Sequence, residues 1–405
     1  MEYREQLKII KSHKWNEDPE QMKRPTKKKH KKRKAGAVDK AVWLIQLVAS
    51  AFLLAALCIL NIIPYKFMIL LAVILLILLL LTRLMSSRGY KRSKKKRSGK
   101  GLGICFSILF AFLGVYALKA NAALDRIAIG EESGRYTEQH GIAVKDRPFN
   151  VYISGIDVYG DITQNSRSDV NLIATVNPGT HKVLITTTPR DYYVTIPGVS
   201  GAEGDKLTHA GIYGIDTSIA TLENLYDTTI PFFVRVNFTS VEEIVDVMGG
   251  VDVESELAFT TSNDSGLVMD VKKGENHFNG KEALAFVRER QNLPTGDNQR
   301  GKNQQALLTS LIKKAMSPMI LFRANGMINS VAGNSETNMS EKQIKSLIRM
   351  QLSDGKRWDI ESVAATGDDT GKQWCYSYKE APLYVTVPDW SKVEEIKNKI
   401  DAILE

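Results

Sequence analysis

Cysteine is scarce in this chain, three residues among 405. Cys58 and Cys105 fall inside long apolar runs, which leaves Cys375 without a partner for an intrachain disulfide. No CxxC and no Cys/His spacing offers zinc a ligand set. Neither GxxxxGK(S/T) nor GxGxxG occurs, so a glycine-rich nucleotide cradle is not expected. Acid is missing from residues 83–100, a segment that carries 9 Lys+Arg. Charge of either sign is missing from 41–63, 67–81 and 102–118. Internal repeats are absent, and low complexity is confined to the basic runs.

Each uncharged run approaches the length that crosses about 30 Å of hydrocarbon, the second if Met68–Met85 is counted and Arg83 reaches the interface with its guanidinium. A soluble helical hairpin would not carry LAVILLILLLL without a break. The net charge of +9 invites a nucleic-acid reading, but its distribution argues against one. Residues 1–40 hold 14 basic and 6 acidic groups, and 24 basic groups lie before position 101. Of the chain's 54 and 45, 30 basic and 39 acidic residues therefore remain beyond it, a net of −9. The base belongs to the flanks of the apolar runs, where it sets topology and touches anionic lipid; no nucleic acid is expected as a partner. KKKHKKRK (27–34) and KRSKKKR (91–97) mark the cytoplasmic side. The expected organisation is a cytoplasmic tail (1–40), three transmembrane helices with a basic cytoplasmic loop at 83–100 (41–122), a linker (123–147) and an extracytoplasmic domain (148–405) of a multi-pass cell-membrane protein.

From Phe149 onward strands and helices alternate between short turn signals, which predicts an α/β domain. FNVYISGID (149–157), DVNLIATV (169–176), HKVLITTT (181–188), IPFFVRVNF (230–238), VDVE from 251 and DIESVAA (359–365) read as strands. The second and third are joined by NPGT as a hairpin. Helices are expected at 216–226 with Asp216 as cap, and at 239–250 with a capping box of Thr239 and Glu242. Four more fall near 279–287, 298–316, 340–352 and 391–404, and 260–275 reads as a polar loop.

If 169–176 and 181–188 pair antiparallel, Arg167, Asp169, Arg190 and Asp191 meet at one end of the sheet. Asp157 joins them if its strand runs parallel to the third. In the helix after Gly296, Asp297, Arg300, Gln304, Leu308, Leu311 and Ala315 share one face. The apolar last turns of that face must pack on the domain, so its charged first turns need a polar cavity or a charged ligand. Arg288 and Arg290 share a side only if the chain between them is extended, so the preceding helix should stop near Phe286 or Val287. Five arginines (167, 190, 288, 290, 300) against acids 157, 169, 191 and 297 are too cationic for a sugar or peptide site. Guanidinium forks match phosphate oxygens two at a time, and carboxylates beside phosphate hold Mg²⁺ through few protein ligands.

Several motifs in fixed order carry a family resemblance: GID (155–157), RSDVNLIATVNP (167–178), TPRDYYVTIP (188–197), DKLTHAG (205–211), VMGGVDV (247–253), NGKEALAFVRER (279–290) and DNQRGKNQQ (297–305). From Pro148 to Ala315 the chain resembles the LytR-CpsA-Psr (LCP) family of cell-wall glycopolymer ligases, and three spans ahead of the domain resemble its CpsA-type members. The resemblance implies a three-layer α/β/α sandwich with a central mixed sheet. It also implies a phosphotransferase that moves a glycan phosphate from a polyprenyl pyrophosphate carrier onto peptidoglycan, attaching teichoic acid, capsule or a similar glycopolymer. Carried over by motif, Asp157 and Asp169 hold Mg²⁺, with Mn²⁺ an alternative, and Arg167, Arg190, Arg288, Arg290 and Arg300 clamp the pyrophosphate. Asp297 and Gln304 complete the site, with Asp191 beside it. Asn303 stands where many members have arginine. The family's groove for the lipid tail would draw on Ile173, Leu184, Phe233 and Val236, each of which also suits a core. Two rival readings share these residues: a pyrophosphatase that uses water as acceptor, and a lipid-binding regulatory protein of envelope biogenesis.

Overall fold

The computed structural model describes residues 37–87, 99–127, 141–156, 165–315 and 335–405. Three long helices come first: α1 (Ala37–Leu60), α2 (Tyr65–Ser87) and α3 (Lys100–Ile127). Each is long and apolar enough to cross a membrane, with mean hydropathies of 2.4, 3.0 and 2.2. The described residues cluster in two units, one made of the span segments up to Leu47 and from Leu76 to Ser107, the other of Val48–Leu75 and everything from Ile108 on.

In the first unit small and polar residues hold the helices together, as expected where lipid removes the hydrophobic drive for helix association. Thr82 donates from Oγ1 to Gln46 Oε1 at 2.7 Å, and both side chains are buried. Gly103 lets α3 approach α1, since a Cβ there would lie 2.8 Å from Val42 Cγ1. The Arg83 guanidinium lies 4.8 Å from the centre of the Trp43 ring, a cation–π contact that gives the charge a partner inside the span pair.

The second unit is built on a six-stranded sheet: β1 (Phe149–Ile156), β2 (Ser168–Asn177), β3 (Lys182–Thr187), β6 (Phe232–Val236), β9 (Ser335–Thr337) and β10 (Asp359–Ala364). Their spatial order is β9-β6-β1-β2-β3-β10. The β6–β1 and β3–β10 pairs are parallel and the β9–β6, β1–β2 and β2–β3 pairs antiparallel, so the sheet is mixed, as expected. Two helices, α4 (Ile215–Tyr226) and α9 (Trp390–Leu404), cover one face. There Tyr152, Ile173, Leu184, Phe233 and Val363 meet Leu222, Tyr226, Ile396 and Ile400 in the largest core. Strand alternation sends Ile153, Leu172 and Ile185 to the opposite face, toward Leu308 and Ile312 of α7 (Asp297–Ala315). On that side α5 (Phe238–Val247), α6 (Gly280–Arg288) and the hairpin β7 (Val251–Ser255)–β8 (Gly274–Phe278) enclose a second core around Val245, Val253, Phe278 and Phe286. The helix α8 (Glu341–Asp354) turns Ile344, Ile348 and Leu352 onto Ala56, Leu60 and Ala117 of the spans.

Several local expectations shift by a residue or two for identifiable reasons. Helix α4 starts at Ile215 after Gly214, whose φ of 107° suits glycine, so Asp216 lies in the first turn and is not the cap. Helix α5 starts earlier than its capping box predicts. Asn237 Oδ1 accepts from the Ser240 N–H at 2.9 Å and Ser240 Oγ accepts from the Asn237 N–H at 2.9 Å, so this pair and not Thr239 with Glu242 closes the end. The stretch 260–275 is more than a loop, since Phe259–Thr260 pairs with Asp270–Val271. Two hairpins have no counterpart among the sequence expectations: β4 (Tyr193–Thr195) with β5 (Gly204–Lys206), and β11 (Lys372–Cys375) with β12 (Tyr378–Tyr384).

Because Asn237 is fully buried with no water to replace its cap, Asn237→Ala should cost about 1–2 kcal/mol. The check is the denaturant midpoint of the full-length protein in detergent, which should fall without a change in slope.

Candidate active site

Strand register assembles the site. Leu172 lies opposite Thr187 across β2 and β3, so the residues entering β2 and leaving β3 share one end of the sheet. The Arg190 Nη1–Asp169 Oδ1 ion pair at 2.9 Å closes that end. Both β1 and β3 run antiparallel to β2, so β1 is parallel to β3 and also ends here. Asp157, the next residue, lies outside the described residues. A bulge between Gly155 and Ile156 bends the strand end, and a Cβ on Gly155 would come within 2.7 Å of the Val170 side chain.

Two helices deliver the remaining cations. Helix α6 is fixed at its start by a capping box of Asn279 and Glu282, and Gly280 packs so tightly that a Cβ would lie 2.3 Å from the Glu242 carbonyl oxygen. It ends at Arg288, one residue beyond the expected stop, and Glu289 is extended with ψ of 134°. The extended Glu289 lets Arg288 and Arg290 point into the same cavity while its own side chain turns the other way and is fully buried. Glu289 Oε1 accepts backbone N–H bonds from Arg290 and Asn292, both at 2.9 Å, and Oε2 accepts from Ser262. Burial alone would push this carboxyl up; the Asn292, Ser262 and Arg290 bonds outweigh it and hold the group below its ordinary value. The Arg288 guanidinium sits 4.2 Å from the centre of the Phe238 ring. Helix α7 begins after Gly296, where φ is 51°, and its first turn approaches the end of β3 closely: a Cβ on Gly301 would lie 3.3 Å from Thr187 Cγ2.

The result is one cavity of about 980 Å³ with two kinds of wall. Asp169, Arg190, Arg288, Arg290, Arg300 and Gln304 line its polar part. Ile153, Leu172, Val234, Val236, Ile244, Leu307, Leu308 and Leu311 line the rest. The structure thus brings together four of the five expected arginines with Asp169 and Gln304. Arg167 is exposed ahead of β2 and is not among the lining residues. Asp191 does not reach the cavity either: it is buried, takes Lys206 Nζ at 2.8 Å and lies 3.6 Å from Arg190 Nε, so it acts on the clamp from behind. Asn303 is a clear correction. It is buried and donates from Nδ2 to the Phe286 carbonyl at 3.2 Å, satisfying a carbonyl in the last turn of α6 and not facing the cavity. The side chain of Asp297 lies outside the described ones. Of the groove candidates only Val236 lines the cavity; Ile173, Leu184 and Phe233 point to the opposite face, the outcome of a one-residue parity difference.

Sequence reasoning missed Glu289 and Lys206. The first is legible in RER, since the middle residue of an extended triplet must point away from its neighbours. The second lies in DKLTHAG but has no periodic signature. As for metal, no group of three His, Cys, Asp or Glu comes together among the described residues. Asp169 and Asp264 are the hard carboxylate donors on the cavity wall, Asp169 already paired with Arg190, so a divalent cation there would take most of its ligands from phosphate and water.

Glu289→Gln leaves one backbone N–H facing an amide and should cost about 1–3 kcal/mol. Because the folded value is depressed, the stabilisation is complete above roughly pH 4.5 and is lost as pH falls through the folded value. Thermal unfolding of the full-length pair should show a gap that is constant from neutral pH to about pH 5 and closes below it.

The family model described as "LytR_cpsA_psr family" matches residues 115–399. Over 262 residues the chain is 30% identical to a protein of Bacillus anthracis (strain CDC 684 / NRRL 3495) named polyisoprenyl-teichoic acid--peptidoglycan teichoic acid transferase TagU, covering 64% of this chain and 80% of that one. It is 29% identical over 335 residues to the corresponding transferase TagT of Bacillus subtilis (strain 168), covering 78% and 98%. The solved structure of TagT bound to LI-WTA superposes with a TM-score of 0.52 at 28% identity, over 69% of this chain and 98% of that one. On the extent of the family match and the shared fold, the chain belongs to the LytR_cpsA_psr family.

Proposed function

We propose that this protein is a membrane-anchored phosphotransferase that moves a glycan phosphate from a polyprenyl pyrophosphate carrier onto peptidoglycan. The observation that carries the reading is the two-part cavity, four arginines and two carboxylates, Asp169 and Asp264, at one part and aliphatic walls along the other. An isoprenoid pyrophosphate has the same division of chemistry. The relatives' names, polyisoprenyl-teichoic acid and peptidoglycan, support both substrates. The three apolar helices and the basic flanks support an anchor with the N-terminus cytoplasmic and the catalytic domain outside.

The reaction is a displacement at phosphorus. A hydroxyl oxygen of the acceptor forms a bond to the glycan-linked phosphorus, the bridging P–O bond breaks, and polyprenyl phosphate leaves with the electron pair. The hydroxyl proton passes to solvent or to the departing phosphate. Charge develops on the bridging and equatorial oxygens, and fixed guanidinium groups that face them stabilise the transition state without reorganisation. Arg190 is held for this by Asp169 and, from behind, by Asp191; Arg288 is held by Phe238. Asp169 already accepts from Arg190 through Oδ1, and its hard carboxylate oxygens suit a metal ligand. Asp169 with Asp157 would hold Mg²⁺ or Mn²⁺, which when bound neutralises pyrophosphate charge.

The test is incubation of the full-length protein in detergent with a polyprenyl pyrophosphate-linked oligosaccharide and peptidoglycan. Covalent attachment that stops with EDTA and returns with Mg²⁺ is expected; release of free glycan phosphate without attachment would move the reading to a pyrophosphatase. Arg190→Ala and Arg288→Ala should each lower transfer by about 100-fold or more, in keeping with the loss of one charge-stabilising donor. Val234→Trp should fill the apolar part and abolish copurification of polyprenyl lipid while leaving the fold intact, as read by mass spectrometry of extracted lipid and by thermal unfolding.

A further inference from the structure

The hairpin β11–β12 carries four exposed aromatic side chains: Trp374, Tyr376, Tyr378 and Tyr384, from 37% to 56% accessible. Its inner side is tied down. Cys375 is buried, Tyr376 donates its backbone N–H to Gly204 O at 3.1 Å, and Tyr193 donates from its hydroxyl to Trp374 O at 2.9 Å. Ser377 donates its N–H to the fully buried Asp205 at 3.0 Å, and its Oγ lies 2.6 Å from His209 Nδ1. The aromatic rings are thus presented on a rigid platform, so little order is lost when a ligand settles on them.

Continuity ties this platform to the catalytic end. Lys206 Nζ lies 5.8 Å from the centre of the Tyr384 ring and bonds Asp191, which backs Arg190. The Asp191 carbonyl accepts the Thr386 N–H at 2.8 Å just after the hairpin. Topology gives the same placement. The hairpin follows the end of β10 at Ala364, which pairs with Thr187 at the clamp end of β3. Helix α8, which meets the spans, precedes β10 and reaches the opposite end of β3, where Asp354 bonds His181 at 2.8 Å. Interfacial anchoring in lipid, the other common use of exposed Trp and Tyr, calls for the end near the spans.

The chemistry of the patch selects its ligand. Its apolar surface is aromatic and not aliphatic, and charges stand among the rings: Lys379 lies 5.5 Å from the Tyr376 ring centre, and Tyr378 donates to Glu380 at 3.1 Å. Pyranose rings present C–H faces that pack on the negative π-faces of aromatic rings, while their hydroxyl rims need polar neighbours. From these observations we infer that the β11–β12 hairpin is the binding platform for the acceptor polysaccharide, holding a glycan strand so that its hydroxyl reaches the arginine clamp. This deepens, and rests on, the transferase reading above.

The test uses the full-length protein in detergent, soluble glycan strands released from peptidoglycan by an amidase, and the variants Trp374→Ala, Tyr378→Ala and Trp374→Phe. Each alanine variant should weaken strand binding about tenfold and raise the acceptor KM by a like factor, with kcat and lipid-donor binding unchanged; Trp374→Phe should keep most of the affinity. Thermal unfolding checks that the variants fold. Unchanged strand affinity and KM in both alanine variants overturn the inference, as does a loss confined to binding of anionic lipid vesicles, which would make the patch a membrane contact. Strand binding that is lost in the variants of a protein with no transfer activity upholds the platform and sinks the transferase reading.

Discussion

A strand buried on both sides must send alternate side chains to opposite faces, and the function of this molecule depends on that alternation. In β1, β2 and β6 one set of residues builds the core under α4 and α9, and the other set lines the cavity under α5, α6 and α7. A slip of one residue in β1 or β6 would place Tyr152 or Phe233 in the cavity and empty the core at the same stroke. The polar end inherits its geometry from the same register, because Asp169 and Arg190 meet only while Leu172 stays opposite Thr187.

Cations collected at one place repel one another, and the protein answers with groups placed behind them. Asp169 and Asp191 flank Arg190, Phe238 backs Arg288, and Glu289 ties the backbone between Arg288 and Arg290 to the loop at Ser262. These supports are buried or half-buried, where electrostatic interactions are stronger than in water. The guanidinium groups of Arg190 and Arg288 are therefore held in place by the fold itself.

Much of this is legible from residue order, and the losses have physical causes. The spans are clear because an uncharged apolar run of that length suits little besides the interior of a bilayer. The hairpin end is clear because NPGT fixes a turn and hence a register. The chain direction at RER follows from two arginines that have to share a side. Asn303 enters the expected site by motif as the neighbour of Gln304, but consecutive residues of a helix point about 100° apart, and it turns to the Phe286 carbonyl. The residues of the apolar cavity wall are hidden because apolar character is the same on both faces of a doubly covered strand; only three-dimensional packing distinguishes them. The β11–β12 hairpin has no alternating pattern to announce it, since its strands lose register between Gln373 and Cys375, its aromatic residues stay partly exposed and its one buried side chain is a cysteine.

That cysteine also bears on the chemical durability of the folded domain. Burial, with Asp205 adding to it, pushes the Cys375 thiol up to about 11. Disulfide exchange and oxidation proceed through the thiolate, so a buried thiol that stays protonated is kinetically silent toward oxidants and toward other proteins' thiols. The described cysteines that remain are on the apolar helices. Burial thus keeps Cys375 out of disulfide exchange with no need for a second cysteine to protect it.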